Sequence, residues 1–599
     1  MRLTGVLLPL LLVLAPAAAP AEWVSTSGPG FELVTDLPAA RASWLADQLH
    51  RLRALLDELG PEGAERGERT RVFVLGDRDL YLQLAPRPDG QPDEKVSGFF
   101  QTSIFGDRLV VDASRESDTL ETLFHEALHA WMRRHLPWAP LWLNEGLAEY
   151  YSTARIEGER AVLGTVKTRH LEWLDREPWM PLGDVVAVPS TSELYHEGDR
   201  RGAFYAESWA LVHYLLAEPR RRAGLRGYLD DLESGADLAE AFEGAFETTY
   251  LGLEGELVRY LAPRTVPTVA VAVPGRAAPV APPRRLSRLE LALRLGELSA
   301  RLGHLGEARA RFEEALALDP RSGLARAGLG EVHDLAGDHG TAEIWYQEAA
   351  ALAPDHPLPL YLLGEAMLRR LLRQQRDAGS WTELDQRDLE LARDSLRRSL
   401  RLDADRGATH AALGQSWLVG GPGPPAWGLT AEGVAEALAA LGRAAELLPG
   451  EPQVLVHLGL VLCRSGDCER PRRTLTPLLR RFRRPELLEL QAEQLATTEL
   501  ELAGWLVNHG DTDQGQAIAE RLEARLEPAL HGRWAAAIDE IVRVARHNRG
   551  VREVERALEL ARDGRTRDAV ALLEALLAER PGPEIERAAR DLRRRLALP

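Results

Sequence analysis

The chain has 599 residues, 45% of them apolar and 27% charged, and a net charge of −18. That length exceeds what one hydrophobic core organises, so several domains are expected, and the apolar share excludes wholesale disorder. The acidic balance argues against a nucleic-acid partner, because phosphate binding takes a basic face.

Residues 1–21 have the form of a secretory signal peptide. Arg2 supplies the positive start, Val6 to Leu14 the apolar run, and Ala19-Pro20-Ala21 a cleavage site of small residues. The run is short for a bilayer span, which takes about 20 residues, and no later stretch qualifies. The expected location is periplasmic or secreted, with no stable membrane span after cleavage; an uncleaved anchor is the alternative.

Residues 22–262 mix strands and helices. Phe31–Thr35, Val72–Leu75 and Leu109–Asp112 read as strands, and Ala39–Leu59 as an amphipathic helix. The third strand leads into a helix that Asp118 or Thr119 could cap, running through His125 to about Arg134. Within it stands His125-Glu126-Ala127-Leu128-His129. The i,i+4 spacing puts both imidazoles on one face, able to share a zinc ion with Glu126 beside the reacting water. Sixteen residues after His129, in Trp142-Leu143-Asn144-Glu145-Gly146-Leu147-Ala148-Glu149-Tyr150, a second helix start carries two carboxylates one turn apart. A catalytic zinc takes three protein ligands and leaves a fourth position open.

These segments resemble the gluzincin metallopeptidases, and the stretch from about Leu120 to Ala262 is similar to the broad peptidase MA-like family. The resemblance implies that Glu145 is the third Zn²⁺ ligand, Glu126 the general base, and Glu149 a partner that orients a ligand imidazole. The segment from Tyr205 to Leu215 is similar to the helix that begins with a catalytic tyrosine in the aminopeptidase N branch, which implies an oxyanion donor at Tyr205. Tyr195 and His196 are rivals for that role. No Gly-x-Met-Glu-Asn element is present, so aminopeptidase specificity does not carry over. His170, His213, His304 and His410 lack ligand spacing and read as packing or surface residues, Glu207 as part of a solvated face, and Trp138 and Trp142 as packing beneath the site.

Residues 263–285 are rich in Pro, Ala and Val and read as a semi-stiff linker. After it, in residues 286–599, Leu295-Gly296, Leu329-Gly330 and Leu363-Gly364 recur every 34 residues, as do Ala308 and Ala342, Phe312 and Tyr346, and Pro320 and Pro354. The period and residue types resemble the tetratricopeptide repeat, a helix–turn–helix unit. An insertion around Gln374–Asp388 interrupts the register, which returns at Ala392, and residues 480–550 are helical without clear phase. Cys463 and Cys468 flank an expected helix–turn; export permits a bridge, though spacing alone does not join them.

The expected fold class is α+β, a zincin-type metallopeptidase domain followed by an all-α tetratricopeptide-like solenoid. The expected function is zinc-dependent peptide-bond hydrolysis, an exported hydrolase whose repeats recruit a peptide, a protein substrate or a protein partner. An extended substrate would align on Arg108–Asp112 as an edge strand. The alternatives are a degenerate peptidase-like domain that binds without cleaving, and a scaffold acting through its repeats.

Overall fold

Continuous apolar runs, rather than alternating ones, mark strands covered on both faces, and such runs build the centre of the N-terminal half. The computed structural model describes residues 22–59, 69–86, 96–103, 106–115, 118–189, 198–274, 279–378, 382–419, 430–509, 511–526 and 528–597. The signal-peptide reading, Tyr195 and His196 lie outside these residues.

The elements run β1 (Val24–Gly28), β2 (Phe31–Thr35), α1 (Ala39–Leu59), β3 (Thr70–Leu75), α2 (Arg78–Leu84), β4 (Gly98–Gln101), β5 (Arg108–Asp112), α3 (Thr119–His135) and α4 (Leu141–Ser152). Then come β6 (Arg155–Glu157), β7 (Arg160–Leu163), α5 (Thr168–Arg176), α6 (Leu182–Ala187), α7 (Gly198–Ala217), α8 (Pro219–Glu233), α9 (Leu238–Phe246), α10 (Tyr250–Leu261), β8 (Val269–Ala272) and β9 (Arg284–Arg285). Six strands form one sheet in the order β4-β5-β3-β2-β1-β9. Strands β2, β3 and β5 are parallel neighbours, while β1, β4 and β9 pair antiparallel. A second sheet has the order β6-β7-β8.

The period of two divides the large sheet's side chains between two cores. Leu33, Val72, Val74, Leu109 and Val111 pack with Leu45, Leu49 and Leu52 of α1 and with Leu123, Phe124 and Leu128 of α3. On the other face Val34, Phe73, Leu75 and Val110 meet Tyr81 and Leu84 of α2, and also Leu298 from the repeat half. Two expectations change here. Arg108–Asp112 is an interior strand between β4 and β3, and the end of the sheet is β4. Asp118 stands at the N-cap of α3 without a capping side-chain bond.

The segment 263–285 is woven into both sheets instead of spanning a gap. β8 pairs with β7 and β9 with β1. Between them the Ala281 N–H donates to Ser27 O at 2.8 Å and the Thr26 hydroxyl to Ala281 O at 2.6 Å.

The repeat half is a run of antiparallel helix pairs: Arg288–Arg301 with Leu305–Leu318, Gly323–Leu335 with His339–Leu352, Pro357–Ala378 with Glu383–Leu402, and Gly407–Ser416 with Ala431–Leu447. Small residues set their spacing: a Cβ on Gly296 would come within 2.8 Å of the Phe312 ring, and one on Gly330 within 2.7 Å of Tyr346. The insertion lengthens both helices of the third pair, to 22 and 20 residues against 14 and 14 in the first. Thr382 and Asp385 close a capping box at the start of its second helix. Where the repeat phase was not legible, Pro485–His509 pairs with Thr512–Glu523, followed by the long helix Pro528–Arg562. A disulfide joins Cys463 and Cys468. No helix among the described residues is long and apolar enough to cross a membrane.

The solenoid lies against the N-terminal half. Arg294 donates to Glu32 at 3.0 Å, and Arg133, in the last turn of α3, to Glu451 at 2.6 Å. Arg483 donates to the carbonyls of Trp138 at 3.2 Å and Ala236 at 3.4 Å. Trp138 lies in the turn between α3 and α4, so the repeats meet the helical hairpin at its turn end.

Candidate metal centre

Helix α3 buries Leu123, Phe124, Ala127, Leu128, Ala130, Trp131 and Met132, which leaves His125 and His129 half-buried on the face toward α4. The turn is short, and α4 begins after Pro140 at its N-cap, so Asn144 and Glu145 face the histidine pair. Gly146 sets the next contact. A Cβ there would stand 2.4 Å from the Ser208 carbonyl, so only glycine allows α4 to lie this close to α7, the helix that carries Tyr205.

His125, His129 and Glu145 come together. His125 Nε2 and His129 Nε2 are 3.0 Å apart, and Glu145 Oε2 is 3.7 Å from the first and 3.6 Å from the second. Tetrahedral zinc with bonds of about 2.0–2.1 Å places its donor atoms roughly 3.3–3.4 Å apart. Two imidazole nitrogens and one carboxylate oxygen are also a donor set that catalytic zinc takes, so the residues fit that ion. Among the described residues this is the one group of three or more His, Cys, Asp or Glu side chains with such spacing.

The surroundings hold both imidazoles. His129 Nδ1 is 2.9 Å from Asn144 Oδ1, and His125 Nδ1 is 3.4 Å from Glu149 Oε1. Glu149 Oε2 in turn accepts from His170 Nε2 at 2.9 Å and from Lys167. Burial drives His125 down to about 3, into the neutral form a metal ligand needs. Burial also works against a charged His129, but Glu145 and Glu126 outweigh it and raise the group, favouring there the positive charge that a metal brings. Burial pushes Glu126 up to about 7, with Glu145 and Glu149 adding to the rise against His129. Glu149 is held well below the usual carboxylate range: burial opposes its charge, and Lys167, His125 and His170 overcome that.

Tyr205 stands beside the site, its ring perpendicular to that of His125 with centroids 6.3 Å apart, and Arg201 lies over its face at 5.7 Å. The aromatic ring of Phe100 on β4 is 6.4 Å from that of His129, so the end strand runs beside α3. Trp142 is fully buried and packs against Tyr228 and Phe242 beneath α4.

His170 is buried, as a packing residue is, and it is also bonded to Glu149, so it belongs to the site's surroundings. One reading is corrected. Glu207 is 4% exposed, accepts from the Met180 N–H at 3.0 Å, and is no part of a solvated face. His213 is a satisfied core histidine between Tyr260 and the Gly164 carbonyl. Asn144 and Lys167 went unmarked in the sequence. Asn144 stands inside the quoted motif, whereas nothing local to Lys167 pairs it with Glu149.

Residues 293–357 match the tetratricopeptide repeat family. Such repeats stack into surfaces that hold other proteins, so this half points to protein partners. Residues 119–231, which contain the donor triangle, match a family described as "Protein of unknown function (DUF1570)". Comparison with curated proteins finds no match. The chain is similar to several solved structures. One is MamA, at 16% identity over 34% of this chain and 96% of that one, with a TM-score of 0.24. Another is YrrB, described as a TPR protein with an unusual peptide-binding site, at 18% over 34% and 90%, TM-score 0.25. A third is PilF of Pseudomonas aeruginosa, at 19% over 42% and 97%, TM-score 0.26.

Proposed function

We propose that the N-terminal half hydrolyses peptide bonds with the help of zinc, and that the tetratricopeptide half holds a protein substrate or partner. The observation that carries the peptidase reading is the His125–His129–Glu145 donor triangle with Glu126 buried next to it. Zinc, when bound, supplies Lewis-acid chemistry: it acidifies water and polarises a carbonyl. Glu126 takes the proton of the attacking water and returns it to the leaving amine. The Tyr205 hydroxyl donates to the oxyanion as charge develops there. The end strand β4, next to α3, takes the place of Arg108–Asp112 as the strand on which an extended peptide aligns. The apolar leader supports export to the periplasm or beyond.

The test is metal analysis of the purified full-length chain together with cleavage of an unbiased peptide library. Bound zinc, with cleavage that Glu126→Gln stops, supports the reading. Protein that takes up no zinc and cleaves nothing overturns it.

The match of residues 293–357 to the tetratricopeptide family favours a second reading, a scaffold that works through its repeats while the N-terminal half binds without turnover. Zinc uptake with no cleavage in the same assay would select it.

A further inference from the structure

Glu149 is a buried carboxylate that can only accept, and it is held at both oxygens. Oε1 faces His125 Nδ1 at 3.4 Å. Oε2 takes the His170 Nε2–H at 2.9 Å and the Lys167 ammonium. Lys167 also reaches Glu121 of α3 at 2.6 Å, so this ammonium ties α3 to α4 just before α5 begins. The side chains of Lys167, Glu149 and His170 are 13%, 10% and 8% exposed, which leaves little water to compete.

We infer that Lys167 and His170 are positioning residues for the metal centre, acting through Glu149, whose carboxylate they pin as an orienter of His125. The inference rests on the metal-site reading above. For His125 Nε2 to present a lone pair, its Nδ1 must carry the proton, and an acceptor must hold that N–H in line. Glu149 sits one helical turn after Glu145 on the same face of α4. With Oε2 unpinned, its carboxylate is free to turn toward the metal position and take the place left for water. Lys167 and His170 hold it back. In a chain whose basic residues are Arg almost throughout, this position has the compact point charge of a lysine, where a forked guanidinium needs more room.

The test is zinc affinity of the full-length chain by competition with a chromophoric chelator, with the visible spectrum of the Co²⁺-loaded protein as a second readout. Lys167→Met and His170→Phe should each weaken zinc binding by about 10–100-fold, while His170→Gln, which keeps a donor, should retain most of it. Co²⁺ in Lys167→Met should show the weaker absorption of a higher coordination number. In a Glu149→Gln background Lys167→Met should cost nothing more, because its effect passes through that carboxylate. Unchanged affinity and spectrum, or an equal loss in the Glu149→Gln background, would overturn the inference while leaving the metal site intact. An unaltered chain that binds no zinc would overturn the underlying reading and this inference with it. His170→Phe and His170→Gln supply the same comparison if Lys167→Met does not fold.

Discussion

Glu297, on the first helix of the repeat half, accepts a hydrogen bond from Arg108 of β5 at 2.8 Å. Arg108 is 1% exposed, and Arg71 of β3 meets the same carboxylate. Leu298, the next residue, is fully buried against the sheet. The two halves therefore share a core and a buried charge cluster.

Removing Glu297 should destabilise the whole chain. Glu297→Ala removes the carboxylate that Arg71 and Arg108 share, at a cost of about 3–5 kcal/mol for a broken buried pair. Denaturant unfolding should show one transition for both halves in the unaltered chain. A fragment ending at residue 262 should melt lower than the N-terminal half does in the full chain, since it lacks β8, β9 and Leu298. A fragment as stable as the whole would contradict the shared core.

Glu297 also makes acid sensitivity predictable in sign. Burial opposes its charge, but Arg71 and Arg108 hold its carboxyl well below the usual range. A depressed carboxylate contributes stability above its unfolded pKa of about 4.3, and that stability drains away as pH falls toward the folded value. Melting temperature against pH should fall less steeply below about pH 4.3 in Glu297→Gln.

Glu207 should behave in the opposite sense. Burial pushes its carboxyl up to about 7, with Glu254 adding to the rise against the Met180 N–H bond. A raised carboxylate favours the folded state at low pH, and that contribution disappears as pH climbs from about 4.3 to 7. Glu207→Gln keeps an acceptor for the Met180 N–H and carries no charge. It should raise stability at pH 8 relative to the unaltered chain, by on the order of 3 kcal/mol at most, and less at pH 5. Equal changes at both values would show that the charge of Glu207 is not what matters.

Tyr205→Phe should lower kcat by about 10²–10³-fold with little change in KM, the signature of a bond made in the transition state. A loss found instead in Tyr195→Phe or His196→Ala would assign the oxyanion to those residues.

Gly146→Ala tests the seating of α4 on α7. The added methyl meets the Ser208 backbone, which cannot swing aside as a side chain can, so overpacking should cost about 1–3 kcal/mol. Zinc affinity should drop with it, because Glu145 is the adjacent residue. Thermal denaturation and metal content decide this together.

What was legible in the sequence was local. Val72–Leu75 and Leu109–Asp112 are dense in β-branched and aliphatic residues, and His125 and His129 fall on one helical face whatever surrounds them. Pairing between distant segments was not legible. Val269-Ala270-Val271-Ala272 alternates as a strand does, with every second residue half-buried, but the prolines around it and the low complexity of the segment gave it the look of a spacer. The order of strands, and so the position of β5 inside the sheet, depends on which runs meet in space. His170 finds Glu149 only because α5 packs on α7, which itself lies against α4, and no spacing rule encodes that. The tetratricopeptide pairs were readable because their contacts are between neighbours, repeated at a fixed interval.

The strands contributed by residues 269–285 impose an order on biosynthesis. Until that segment leaves the ribosome, β1 lacks its neighbour β9 and β7 lacks β8. At about 5–20 residues per second, translating 263–285 adds roughly 1–5 s in which β1 and β7 of the nascent N-terminal half are left as sheet edges. Unpaired edges of this kind are templates for another chain. A message broken before residue 285 would therefore release products prone to stick to one another, and chaperone binding during synthesis would be expected to concentrate on that interval.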